Sequence, residues 1–125
     1  MNLVLENKII QRFRDKFPDE SIIHDEAQSC LAFGFECGDG WFSIIYESLL
    51  LLQDEKFTIV QVKEKFGSLR IYIDGGNDRV NNVLGFLENQ SEITCELCGD
   101  LGSIDWSKSW KKCRCEKCIK KEQLC

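Results

Sequence analysis

The chain has 125 residues, 16 Lys+Arg against 21 Asp+Glu, eight cysteines and a single histidine; that length suits one domain, or a small domain with a metal-stapled appendage too small to build its own core. One histidine, His24, excludes an HExxH zinc-protease site, and neither a GxSxG elbow nor a GxxxxGK[ST] phosphate loop occurs. Charge at Glu6 and Lys8 interrupts any apolar signal-peptide core, and the apolar stretch Trp41 to Leu52 is broken by Ser43, Glu47 and Ser48, so the expectation is a soluble, cytoplasmic chain with reduced thiols and no membrane partner.

Leu5, Ile9, Ile10, Phe13 and Phe17 recur at helical spacing and predict a first amphipathic helix, with Lys8, Arg12 and Lys16 on its wet side and Pro18 as its stop. Residues 21–37 are apolar but irregular, and read as a short strand or ordered loop through Leu31, Phe33 and Phe35. Gly38-Asp39-Gly40 forces a turn, with Asp39 or Gly40 placed to cap a second helix whose Trp41, Ile45, Leu49 and Leu52 share a stripe. Ile44 and Leu51 widen that stripe, as in a helix buried on more than one side. Trp41 reads as a core anchor, and the two glycines as turn geometry.

Phe57 to Tyr72 predicts a β-hairpin: Thr58 to Val62 is rich in strand formers, Gly67-Ser68 supplies the turn, and Leu69, Ile71 and Ile73 alternate with Arg70, Tyr72 and Asp74. Gly75-Gly76 ends it. Asn77 then caps a third helix in which Val80, Val83, Leu84 and Leu87 form one face. That helix leads into Cys95 with no Pro- or Ser-rich spacer, so the C-terminal segment is expected to dock on the domain.

Two CxxC pairs, Cys95/Cys98 and Cys115/Cys118, stand sixteen residues apart. Each pair can aim two sulfurs at one point, and this spacing lets two such turns close a tetrahedral zinc site. Four thiolates leave no open position for water or substrate, which makes the zinc structural. The alternative, a disulfide-stapled secreted protein, fits poorly with the charged N-terminus. Cys30 and Cys37 read as small buried residues; a second site from His24, Cys30 and Cys37 matches no compact knuckle. The expected architecture is α+β: helices packed on a β-hairpin over residues 1–94, with a docked four-cysteine zinc ribbon or treble-clef-like knuckle over 95–125, together one compact unit.

Phe35 to Phe42 (FECGDGWF), Val60 to Tyr72 (VQVKEKFGSLRIY) and Thr94 to Gly99 (TCELCG), in this order, resemble a family of small proteins of phage and prophage genomes. The resemblance covers roughly residues 33–118 and implies that Ser109-Trp110 precedes the second knuckle, with Cys115 and Cys118 as ligands and Cys113 not one. It implies a metal site and a bacterial host setting, and brings no activity with it.

Charge is uneven: residues 1–106 carry nine Lys/Arg against nineteen Asp/Glu, a net of −10, and residues 107–125 carry seven against two, a net of +5. The acidic body, with no catalytic constellation, suits a non-catalytic module that binds a host protein, for instance a nuclease or other defence component, by charge complementarity. The alternative is nucleic-acid binding through a tail that interleaves Trp106, Lys108, Trp110, Lys111, Lys112 and Arg114. Against it, the double negative charge of a zinc tetrathiolate calls for nearby cations anyway, and Trp110 could pack the knuckle's core. A remote third reading is a magnesium nuclease built from Gln61 and Lys63 with Asp54 or Asp74. The best candidates for a partner surface are Lys65, Phe66 and Arg70 of the hairpin and Lys108, Trp110, Lys111 and Lys112 of the tail. No small-molecule substrate is indicated.

Overall fold

Asn2 opens the first helix, α1 (Leu3–Arg12), its side chain accepting from the Leu5 N–H at 3.0 Å. The computed structural model describes residues 1–123. In it α1 ends at Arg12, short of Pro18, and Arg14–Lys16 form a 3-10 turn that aims Lys16 inward. Lys16 is therefore not on the wet side with Lys8 and Arg12. It is 3% exposed, its ammonium pairs with Asp15 at 3.0 Å and donates to the Glu55 carbonyl, and it lies 5.2 Å from the Phe57 ring centroid. Buried ammonium charge is tolerated only with such partners.

The stretch from 21 to 37 is not a strand. It holds a one-turn helix, α2 (Glu20–Ile23), and a 3-10 turn (Cys30–Phe33), and reaches the sheet only at Glu36, which bridges Lys63 in parallel. Glu36 donates its N–H to the Val62 carbonyl and accepts from the Glu64 N–H, both at 2.9 Å. Phe35 is buried, while Phe33 and Cys30 are exposed, so Cys30 is not the buried residue that its apolar surroundings predict.

Helix α3 (Phe42–Leu51) follows a 3-10 turn over Asp39–Trp41 and has no side-chain cap. The Asp39 carboxylate is occupied elsewhere, accepting from the Asn2 backbone N–H at 2.8 Å and from its amide at 2.9 Å. Trp41, Ile45, Leu49 and Leu52 are all at most 1% exposed. Truncating a side chain so enclosed typically costs ~3–5 kcal/mol for Trp. Leu51, expected to widen the stripe, faces solvent instead.

Strands β1 (Phe57–Lys65) and β2 (Ser68–Gly75) pair antiparallel, with Lys65 opposite Ser68, Lys63 opposite Arg70, and a bulge between Ile59 and Gln61. The turn is Phe66-Gly67, one residue earlier than the sequence suggests, with φ of 54° and 86°. Two-residue hairpin loops with both φ positive match the right-handed twist of the strands. Helix α4 (Asp78–Ser91) is capped by Asn77, which accepts from the Val80 N–H at 3.0 Å. It lays Val80 and Leu87 into the core formed by α1, α3 and the hairpin. The fold is α+β as expected.

Beyond α4, two short strands, β3 (Ser103–Ile104) and β4 (Cys113–Arg114), pair antiparallel and lead into α5 (Glu116–Gln123). That last helix is not among the elements expected from the sequence. Its sequence, EKCIKKEQ, is polar apart from Cys118 and Ile119, an apolar stripe too short to stand out. No helix among the described residues is long and apolar enough to cross a membrane.

Candidate metal centre

The first knuckle is a tight loop closed on itself. Thr94 bridges Leu101, the Cys95 N–H donates to the Asp100 carbonyl at 2.7 Å, and the Gly99 N–H donates to the Cys95 carbonyl at 2.9 Å. Gly99 sits at φ 86°, a conformation that suits glycine. The second pair is delivered differently: Cys115 immediately precedes α5 and Cys118 lies in its first turn. A knuckle, a two-stranded hairpin and a helix carrying the second pair make the treble-clef-like arrangement, not a ribbon of two β-turns. Helix N-termini favour negative charge, and so favour thiolates there.

All four sulfurs lie within 4.8 Å of one another, and those of Cys98 and Cys115 are 3.5 Å apart. A tetrahedral ion bound at ~2.3 Å would hold its sulfurs about 3.8 Å apart, inside that range, whereas a disulfide needs ~2 Å. The loop shifts the Cys95 thiol in two opposed directions. Burial pushes it up, but N–H groups of Cys115, Cys98 and Leu97 directed at the sulfur outweigh burial and bring it down to about 7. Cys118, desolvated and sharing protons with Cys115, Cys95 and Cys98, is pushed up to about 12. Four crowded sulfurs cannot all ionise without a cation among them, so the donor set fits a soft divalent metal. Cys95, Cys115 and Cys118 are buried and Cys98 is exposed.

Among the described residues this is the one group of three or more His, Cys, Asp or Glu side chains able to hold a metal. His24, Cys30 and Cys37 do not gather into a second site, and no such group forms around Asp54 or Asp74. Cys113 stands outside the group: its sulfur donates to the Glu92 carbonyl at 3.3 Å and is fully buried in the main core. Cys125 lies outside the described residues.

Several residues to which the sequence gives other roles, or none, bind this centre to the rest of the fold. The Gly38 N–H donates to the Glu96 carboxylate at 2.9 Å, the Gly40 N–H donates to the Glu96 carbonyl at 2.8 Å, and the Trp41 indole donates to the Thr94 carbonyl at 2.8 Å. Glu96, 6% exposed, also pairs with Arg114 at 3.3 Å. On the other side, Glu64 receives Lys112 at 2.7 Å and the Gly67 N–H at 2.7 Å. A Cβ on Gly67 would stand 3.0 Å from Ile104. The one sequence signal for these ties is a glutamate lodged between Cys95 and Cys98.

The predicted partner residues fall into two sets. Lys65 and Phe66 are exposed at the hairpin tip, with the Lys65 ammonium 5.8 Å from the Phe66 ring centroid. Trp110 is 77% exposed, so it does not pack the knuckle's core, and Lys112 sits 5.0 Å above its ring while bound to Glu64. Lys112 thus links the tip to the Trp110 loop. Lys111 donates to the Lys108 carbonyl at 2.9 Å, which curls the loop. Arg70, by contrast, is engaged by Glu88 of α4 at 2.8 Å and is not part of the tip. A groove of about 720 Å³ runs between the loop and α5, lined by Lys108, Trp110, Lys112, Arg114, Ile119 and Glu122.

Compared with protein-family models, curated proteins and solved structures, the chain matches none.

Proposed function

We propose that the chain is a non-catalytic zinc protein that binds a protein partner through the hairpin tip and the loop carrying Trp110. Zinc is the metal because four thiolates in tetrahedral reach suit a soft or borderline ion, and its role is structural because no coordination position is left open. Phe66 carries the binding reading. It is the one non-glycine residue at positive φ among the described residues, and it is 62% exposed. A bulky side chain in that conformation is strained, and burial does not repay the strain here; such outliers collect at functional sites. With Trp110, whose ring lies under the Lys112 that pairs with Glu64 of β1, the tip and the loop offer the exposed aromatic anchors typical of energetic centres of interfaces.

The resemblance to phage and prophage proteins directs the search to the cytoplasm of a bacterial host, where a nuclease or other defence component is the kind of partner such a protein would block. The acidic body would draw it toward a target that is basic overall, on which a neutral or acidic patch receives the lysines around Phe66 and Trp110. A nucleic-acid partner is the second reading, favoured by Trp106 and Trp110 standing exposed among lysines. It is weakened because Lys112 is neutralised by Glu64, and Arg114 by Glu96 and Glu122. Affinity capture from host lysate, with and without nuclease, separates the two. A protein that survives nuclease and is lost in Phe66→Ser/Trp110→Ala supports the first reading; nucleic acid displaced steeply by salt replaces it with the second. Magnesium-dependent DNA cleavage lost in Lys63→Ala would overturn both in favour of an enzyme.

A further inference from the structure

The Gly38-Asp39-Gly40-Trp41 loop meets the first knuckle backbone to backbone. A Cβ on Gly40 would lie 2.2 Å from the Cys95 carbonyl oxygen and 2.6 Å from the Gly99 nitrogen, and one on Gly38 would lie 2.2 Å from the Glu96 carbonyl oxygen. Neither glycine has a positive φ, so turn conformation does not explain them; close approach does. The obstructing atoms are peptide atoms of the metal-holding loop itself, which cannot swing aside as a flexible side chain can. Three hydrogen bonds cross the same junction, from the Gly38 and Gly40 N–H groups and the Trp41 indole, and all end on Thr94 or Glu96, the residues flanking Cys95.

Glu96 extends the junction to the second pair. One carboxylate oxygen accepts from Gly38 and the other faces the Arg114 guanidinium, which also donates to the Cys113 carbonyl at 3.0 Å and pairs with Glu122 of α5 at 2.9 Å. Arg114 adjoins Cys115 in sequence, so the chain of contacts runs from the loop before α3 to both halves of the sulfur cluster. Gly38 and Glu96 are 58 residues apart in the sequence.

We infer that the Gly38–Trp41 loop is a remote positioning element of the metal centre, setting metal affinity by fixing the peptide that presents Cys95 and the carboxylate that ties the two cysteine pairs together. None of its residues is a ligand. Groups that orient ligands from outside the coordination sphere commonly alter affinity by ~10–100-fold when removed. Thermodynamic linkage requires the converse: metal binding stabilises the core built on Trp41.

This rests on the metal reading, and the test separates the two. Zinc affinity is measured at fixed pH by competition with a chromogenic chelator for the wild type, Gly40→Ala, Glu96→Gln, Trp41→Phe and a control, Gly85→Ala, whose added methyl meets nothing within 4 Å. Expected is a loss of ~10–100-fold for Gly40→Ala, about tenfold for Glu96→Gln and Trp41→Phe, and none for the control. The rise in melting temperature on adding zinc should shrink in the same order. Where Gly40→Ala does not fold, Glu96→Gln and Trp41→Phe decide, since both keep the side-chain shape or the aromatic anchor. Folded Glu96→Gln and Trp41→Phe that bind zinc within twofold of wild type would overturn the inference; a wild type that takes up no zinc would overturn the metal reading with it.

Discussion

Phe66 offers a substitution in which conformation and packing can be separated. A left-handed backbone costs an L residue ~1–2 kcal/mol, and asparagine, favoured beside glycine in hairpin turns of this kind, relieves part of it. Phe66 stands at φ 54°, so Phe66→Asn should recover about 0.5–1 kcal/mol. It also loses what contact the ring makes. At 62% exposure a little over a third of the residue is covered, and full burial of Phe is worth ~1.5–3 kcal/mol, so the loss is again about 0.5–1 kcal/mol. The net change from wild type should lie within about 0.5 kcal/mol. Phe66→Ala suffers the same loss without the relief, and should be less stable than Phe66→Asn by ~0.5–1 kcal/mol, roughly 2–5 °C in melting temperature. Urea unfolding of the three zinc-loaded proteins measures this directly. If alanine equals or exceeds asparagine, the tip is not strained; if both cost about 2 kcal/mol or more, the ring holds the hairpin to the knuckle and its exposure gives no reason to expect a partner there.

Gly85→Ala, in the exposed interior of α4 with open space for the methyl, should raise stability by about 0.5–1 kcal/mol by denaturant unfolding. Trp110→Ala should change unfolding free energy by less than about 0.5 kcal/mol yet diminish partner capture, because its ring is 77% exposed. Burial pushes the Cys37 thiol up to about 12, so its contribution is fully present below the ordinary thiol range and is lost as pH rises toward that value. The stability difference between wild type and Cys37→Ala should therefore narrow between roughly pH 9 and 12, and iodoacetamide at about pH 8, near the ordinary thiol pKa, should label Cys30 well before Cys37.

Hydrophobic framework is plain in the sequence wherever periodicity is strong. The Trp41, Ile45, Leu49 and Leu52 stripe, the alternating hairpin and the Asn77 cap all stand where local chemistry puts them. The four cysteines are legible for a related reason: CxxC is a local geometry, and their convergence follows from the spacing between pairs. What is not legible is tertiary. Lys16 looks like a wet-face residue until a 3-10 turn rotates it toward the Glu55 carbonyl and the Phe57 ring. Arg70 looks like a tip cation until α4 brings Glu88 to it. Gly38 and Gly40 read as turn residues because their actual constraint, the approach of a peptide more than fifty residues downstream, leaves no local trace. Helix α5 escapes a periodicity reading because it is only eight residues long and its apolar stripe is reduced to Cys118 and Ile119, while Glu116 in the first turn and Lys120 and Lys121 in the last favour it electrostatically.

Whether Cys95, Cys98, Cys115 and Cys118 hold a metal is decided by native mass spectrometry with elemental analysis. About one zinc per chain is expected, lost in Cys95→Ser and Cys118→Ser and retained in Cys113→Ser, since the Cys113 sulfur faces Glu92 instead of the cluster. Retention of zinc in Cys115→Ser with its loss in Cys113→Ser, or a wild type that carries disulfides and no metal, would contradict this ligand assignment.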